Sequence, residues 1–231
     1  MSKLGLIVPT TNTVNEAEWK RMAPPGVSFP LVRMVLHTDQ HALYTDLEKA
    51  IAELAPQQPD VVAYACTAGS LVLPLDKLTG FMEQKAGTPC VATGPALVHA
   101  CRALGMKKVA LATPYHDALN QHEADFLAEC GIEVVSTRGL GIGAGGAHEY
   151  VRIAKVPKED VYAHCRAADV PAADGMIVSC TDFQALEAIP RLESELGKPV
   201  ISSNLATFWA ALGAAGIRRP INGFGRLLQA A

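Results

Sequence analysis

Short apolar runs alternate along this chain with longer stretches in which apolar residues recur every three or four positions. The runs at 4–8, 28–35, 61–65, 90–92, 108–112, 133–136, 175–179 and 200–202 are each short enough for a strand buried on both faces of a parallel sheet. The intervening stretches 15–22, 44–55, 96–104, 118–130, 158–167, 183–196 and 205–215 have helical spacing. Alternation of this kind predicts an α/β fold built on doubly wound parallel sheets.

The pattern also repeats. Pro9, Asn15 and Glu18 follow the first apolar run at the same spacing as Pro114, Asn120 and Glu123 after the fifth. Later in each half comes an Asp followed six residues on by Cys-Thr, as Asp60 with Cys66-Thr67 and as Asp174 with Cys180-Thr181. Thr88-Pro89 and Lys198-Pro199 then each introduce a strand and a helix ending in Leu-Gly, at Leu104-Gly105 and Leu212-Gly213. Three landmarks in one order predict two pseudo-symmetric halves with a cleft between them. The first is expected to comprise residues 1–96 plus 206–231, the second residues 97–205. The offset between equivalent residues grows from 105 at Pro9/Pro114 to 114 at Cys66/Cys180. The second half therefore carries an insertion, expected in the glycine-rich stretch 139–146 as a loop over the site.

Composition narrows the partner. With 49% hydrophobic and 19% charged residues, the 231-residue chain reads as an ordinary globular protein. A formal charge of -3 without a basic cluster is not the footprint of a nucleic-acid binder, so a small-molecule partner is expected. No apolar run approaches the roughly 20 residues of a membrane span. The apolar run at 4–8 is too short for a signal-peptide core, and a cytoplasmic location is expected. The six cysteines form no C-x-x-C pair, and His37 and His41 lack a third and fourth ligand, so no metal is expected. The segment 139–144 fits a dinucleotide fingerprint only loosely, and it lies outside the first strand–helix unit.

The candidate chemistry lies at Cys66 and Cys180. In a parallel α/β sheet, ligands bind beyond the carboxyl ends of the strands, and both cysteines end an apolar run there. Each is expected to be followed by a helix start, whose amides would lower the thiol pKa and bind carboxylate oxygens. A lone cysteine at such a point is usually an inert buried residue. Two at equivalent points of related halves would instead face each other across the cleft. One thiol can then take a proton from carbon or attack an electron-poor double bond while the other donates a proton. Thr11, Asn12, Thr67, Tyr115, Thr181 and Asn204 are strand-end polar residues that would hold the substrate, with Pro9 and Ala68 beside them. Asn12 and Asn204 serve equally well as helix caps on this reading. Cys90, Cys101, Cys130 and Cys165 have no counterpart in the other half and are expected to be structural.

These same motifs resemble a known family. Pro9-Thr10-Thr11-Asn12-Thr13, Tyr64-Ala65-Cys66-Thr67, Thr113-Pro114-Tyr115 with Leu119-Asn120, Ser179-Cys180-Thr181, and Ser202-Ser203-Asn204 followed by Trp209 span nearly the whole chain. Together they resemble the maleate isomerase and arylmalonate decarboxylase branch of the aspartate/glutamate racemase superfamily. The resemblance implies a cofactor-independent site between two pseudo-symmetric domains, with catalytic positions at Cys66 and Cys180 and substrate carboxylates held by Asn12, Tyr115 and Asn204. It also implies a homodimer or homotetramer. In the decarboxylases the first catalytic position is glycine, so Cys66 favours an isomerase, with maleate to fumarate as the most concrete case. The polar turn Thr67-Ala68-Gly69-Ser70 is closer to the oxyanion-binding loop of the decarboxylases. An α-carbon racemase and an arylmalonate-type decarboxylase are the alternative enzymes. A small-carboxylate-binding protein without turnover is the alternative of another class.

Overall fold

The computed structural model describes residues 2–37 and 39–229. Residues 1, 230 and 231, which the first expected unit includes, lie outside the described residues. Among the described residues the elements run β1 (Ser2–Pro9), α1 (Asn15–Met22), β2 (Val27–Ser28), β3 (Leu31–Met34), α2 (Gln40–Leu54), β4 (Val61–Tyr64), α3 (Thr67–Ser70), α4 (Lys77–Ala86), β5 (Cys90–Ala92) and α5 (Thr93–Ala103). They continue β6 (Lys108–Tyr115), α6 (Asp117–Glu129), β7 (Glu133–Ile142), α7 (Lys158–Arg166), β8 (Gly175–Val178), α8 (Ala188–Leu196), β9 (Val200–Ser202) and α9 (Ser203–Ala214).

Two all-parallel sheets result. The first has the order β2-β1-β4-β5, with β3 also paired to β1; the second has the order β7-β6-β8-β9. The expected strand at 28–35 is divided because Pro30 has no N–H for the ladder, although its carbonyl still accepts from the Leu6 amide at 2.7 Å. Leu4 to Ile7 and Val61 to Tyr64, buried on both faces, give the continuous apolar runs that parallel strands require.

The repeat recurs in the pairing register. β1 sets Leu4 opposite Val61 and Ile7 opposite Tyr64, while β6 sets Val109 opposite Gly175 and Ala112 opposite Val178. Those pairs carry the offsets of 105 and 114 read from the two halves of the chain. The supporting side chains repeat as well. Asp60 accepts from the Lys3 amide as Asp174 accepts from those of Lys107 and Lys108. Glu83 accepts from the Cys90 amide as Glu193 accepts from that of Val200. One apolar core runs through both halves, from Leu6 and Trp19 to Ile177 and Phe208, and α9 returns to pack on α5 and β5.

Two expectations are corrected here. The glycine-rich stretch is not one loop, because β7 extends through Gly139 to Ile142 before a turn. The extra length of the second half lies instead mainly in a nine-residue 3-10 helix, Ala147–Lys155. The helix expected at 183–196 begins only at Ala188. No helix among the described residues is long and apolar enough to cross a membrane.

Candidate active site

The carboxyl ends of β1, β4, β6 and β8 converge on one small cavity of about 40 Å³. Pro9, Thr11 and Asn12 come from the end of β1 and the turn after it, and Cys66, Thr67 and Ala68 from the end of β4. Tyr115 comes from β6, and Cys180, Thr181 and Asp182 from the turn after β8. Leu36 closes one side, and Tyr150 and Ile153 of the 3-10 helix cover another. Thus nine of the ten expected site residues line a common space. Asn204 does not line it and stands behind the wall.

Cys66 stands two residues beyond β4 with extended backbone (φ -146°) and caps α3 with its sulfur, which accepts from the Gly69 amide at 3.4 Å. The amides of Thr67 and Ala68 make no hydrogen bond among the described residues, as expected for the first turn of a helix. The Tyr64 hydroxyl is buried beside the sulfur and finds no partner of good geometry among the described residues. Gly69 makes this arrangement fit, because a Cβ there would fall on the Tyr64 hydroxyl and 3.2 Å from the sulfur.

Cys180 is held differently. Its φ is +89°, a region that L side chains rarely adopt and that costs roughly 1–3 kcal/mol where a fold maintains it. What maintains it is a set of bonds on either side. Its amide donates to the Ser203 hydroxyl at 3.1 Å, and Ser203 also accepts from the Thr67 hydroxyl at 2.8 Å, so one buried serine joins the two cysteine turns. Thr181 accepts from the Asn12 side chain and donates to the Ala65 carbonyl, both at 3.1 Å. The Thr181 carbonyl accepts from Asn204, which also donates to Glu18 at 2.7 Å and accepts from Asn15 at 2.6 Å. Asn204 is therefore a brace under the Cys180 turn. It is not a cap either, since Ser202 caps α9. Asn12 is not the N-cap of α1, which is Val14; it stands two residues before it, its Oδ1 accepting from the amides of Val14 and Asn15.

The expected lowering of the thiol pKa values is overturned. Burial pushes Cys66 up to about 11, against the smaller pull of the Gly69 amide and the Tyr64 hydroxyl. Burial likewise pushes Cys180 up to about 12, against the Tyr115 hydroxyl and the Asp182 amide. Cys180 is followed by an irregular turn rather than a helix, so no helix start assists it. Behind the walls, burial raises the carboxyls of Glu18 and Glu123 to about 7 each. These two residues are symmetry equivalents.

Tyr150, Ile153, Leu36, Asp182 and Ser203 were absent from the residues expected of the site. Asp182 adjoins the Ser179-Cys180-Thr181 motif and Ser203 lies within Ser202-Ser203-Asn204, which is the signal the sequence offers for both. The other cysteines do not line this cavity, and Cys101 and Cys165 are fully buried in the core.

Comparison with known proteins bears on this geometry. The family profile described as arylmalonate decarboxylase matches residues 4–228. Over 155 residues the chain is 39% identical to the arylmalonate decarboxylase of Bordetella bronchiseptica, a match spanning 66% of this chain and 62% of that protein. A cysteine-to-alanine variant of the maleate isomerase Iso from Pseudomonas putida S16, solved with maleate, superposes with a TM-score of 0.88 at 28% identity, covering 100% of this chain and 98% of that one. The Nocardia farcinica maleate cis-trans isomerase, solved as a cysteine-to-serine variant with a covalently bound succinylcysteine intermediate, superposes with a TM-score of 0.89 at 26% identity, covering 99% and 98%. The chain thus belongs to the arylmalonate decarboxylase family and is an enzyme of the branch that includes the maleate isomerases.

Proposed function

We propose that this protein is a cofactor-independent cis-trans isomerase of a small unsaturated carboxylate related to maleate. The observation that carries the reading is the pair of thiols, Cys66 and Cys180, at equivalent strand ends on the wall of one cavity. In this reading the Cys66 sulfur, ionised by loss of its proton to solvent, adds to one alkene carbon. The alkene electron pair moves to the neighbouring carbon and is delocalised into its carboxylate as an enediolate. Cys180 gives its proton to that carbon, leaving a thioether with a single C–C bond free to rotate. After rotation Cys180 takes a proton back, the C–S bond breaks, and the trans alkene departs. Both thiols end as they began, so no co-reactant is consumed.

The surroundings suit this sequence. The unpaired amides of Thr67 and Ala68 and the Tyr115 hydroxyl are donors for carboxylate and enediolate oxygens. The Tyr64 hydroxyl and the Gly69 amide favour the ionised form of Cys66. The polar turn after Cys66 and the 39% identity to an arylmalonate decarboxylase favour a second reading, loss of carbon dioxide with protonation of an enediolate by Cys180.

Proton NMR in deuterated water separates the two. A panel of maleate, related cis-enoates and arylmalonates is incubated with the parent enzyme and with its Cys66→Ser and Cys180→Ser variants. The isomerase reading expects a cis-to-trans change abolished by Cys66→Ser and slowed at least about a hundredfold by Cys180→Ser. Decarboxylation surviving in Cys66→Ser, with one deuterium in the product, would replace it by the second reading.

A further inference from the structure

The first residues of α5 and α9 occupy equivalent places in the two halves, yet they reach the cysteine turns differently. Thr93 opens α5 and Ser203 opens α9, each directly after the edge strand of its sheet, and they are 110 positions apart, as are Glu83 and Glu193. Both residues are fully buried. Thr93 donates to the Tyr64 carbonyl at 3.3 Å, two residues before Cys66, and accepts from the Thr207 hydroxyl at 3.0 Å. Ser203 instead accepts from the amide of Cys180 itself, at 3.1 Å. Where the helix start grips the strand, the cysteine has extended backbone; where it grips the cysteine, φ is +89°.

Nothing in a cysteine side chain favours that conformation, and a residue other than glycine keeps it only where its surroundings over-determine it. Ser203 fixes the peptide before Cys180. Asn204 donates to the Thr181 carbonyl at 3.1 Å, so two successive residues of one helix start hold the backbone on either side of the thiol. Ser203 is itself anchored in the first half, since its hydroxyl accepts from Thr67 at 2.8 Å, and its carbonyl accepts from Thr207 at 2.7 Å. Ser203 does not line the cavity, whereas Cys180 does. Any effect of this serine on a bound molecule therefore passes through the residues it holds.

Building on the isomerase reading, we infer that Ser203 is a positioning residue for Cys180, its hydroxyl holding the amide that keeps this thiol in the left-handed conformation from which it gives and recovers the substrate proton. Thr93, its counterpart, has no such role. Removing the Ser203 hydroxyl leaves a buried N–H without an acceptor and takes away one of the two bonds that oppose relaxation of Cys180 to negative φ. Cys66, whose sulfur is held by the Gly69 amide, keeps its place.

Ser203→Ala and Thr93→Val each remove one buried hydroxyl, and together they test this without turnover. Labelling by iodoacetamide, read by peptide mass spectrometry, is expected to speed up at least about fivefold at Cys180 in Ser203→Ala through local opening of the freed turn. At Cys66, and at Cys101 and Cys165 in the core, it is expected to change less than about twofold, and Thr93→Val is expected to leave Cys180 within about twofold of the parent. Equal acceleration at all four cysteines, unchanged labelling of Cys180, or the same acceleration in Thr93→Val would each overturn the inference. Should Ser203→Ala not fold, Ser203→Cys, which keeps the shape with a weaker acceptor, is read in the same way. Turnover of maleate is then followed by proton NMR. Ser203→Ala is expected to lower kcat at least about tenfold with KM changed less than about threefold, and Ser203→Thr, which keeps the hydroxyl, to recover most of kcat. Selective labelling of Cys180 with kcat unchanged defeats the part of Ser203 in the proton step and leaves the isomerase reading standing. Selective labelling in a protein that isomerises no cis-enoate does the reverse, leaving Ser203 as the residue that positions Cys180.

Discussion

Replacing Glu123 by Gln should change the pH dependence of stability in a direction set by the burial of this carboxyl. Glu123 is fully buried on α6, with Oε1 accepting from the Ser179 hydroxyl and Oε2 unpartnered among the described residues. Burial lifts its carboxyl from an ordinary 4.5 to about 7. Because the folded-state pKa is the higher one, its contribution to stability is fully present below pH 4.5 and is lost as pH rises through 7. A shift of this size corresponds to roughly 3 kcal/mol in all, most of which falls between pH 5 and 8. Gln does not titrate. Its amide nitrogen will lack an acceptor and cost about 1–3 kcal/mol, but equally at every pH. Urea unfolding of both proteins from pH 5 to 8 should therefore show the variant gaining about 2–3 kcal/mol on the parent, or about 5–10 °C in Tm for a chain of this size. Taking the difference cancels Glu18 and every other group common to both proteins. Parallel stability curves across that range would refute the assignment of Glu123 as a buried carboxyl titrating near neutrality.

Alkylation by iodoacetamide, followed at Cys66 by peptide mass spectrometry, should speed up about tenfold per pH unit from pH 8 to 10, since the thiolate reacts and burial holds the thiol near 11. Tyr64→Phe should move that rise to higher pH by removing a donor; a rate that levels off near pH 8 would contradict both statements. Gly69→Ala should destabilise the fold by about 1–3 kcal/mol through overpacking against the Tyr64 hydroxyl and the Cys66 sulfur. The double variant Gly69→Ala with Tyr64→Phe should recover part of that loss in thermal unfolding, and failure to recover any would show that the clash lies elsewhere.

What the chain reveals by pattern and what it withholds divide along a physical line. Buried parallel strands write themselves as apolar runs, and the repeated spacing of Pro, Asn, Glu, Asp and Cys exposes the duplication because equivalent residues do equivalent work in each half. That was enough to bring Cys66, Cys180 and most of their neighbours to one cavity. Features that depend on distant neighbours were not legible. α4 is not legible in the sequence because Gly80 interrupts a weakly apolar stretch of the chain. The 3-10 cover carrying Tyr150 is amphipathic but only nine residues long and follows a glycine-rich turn, so its pattern does not separate it from a loop. The positive φ of Cys180 and its ties to Ser203 and Asn204 join residues 23 or more positions apart. The direction of the thiol shifts was misread for a related reason. Strand-end amides are a local feature, whereas the burial that outweighs them is a property of the whole cleft.

The duplication also explains where asymmetry matters. Registers, the Asp60/Asp174 and Glu83/Glu193 clamps and the buried Glu18/Glu123 pair are kept in both halves, and all of them hold sheets and helices in place. The halves diverge around the thiols. Cys66 has extended backbone and the Tyr64 phenol, where the residue equivalent to Tyr64 is Val178; Cys180 has a positive φ and the Tyr115 phenol from the neighbouring strand. The residue equivalent to Ala68 is Asp182, so one cysteine turn carries a small neutral side chain with an unpaired amide and the other a buried carboxyl. On a frame that is otherwise symmetric, these differences give unlike surroundings to two cysteines that the repeat alone would have made interchangeable.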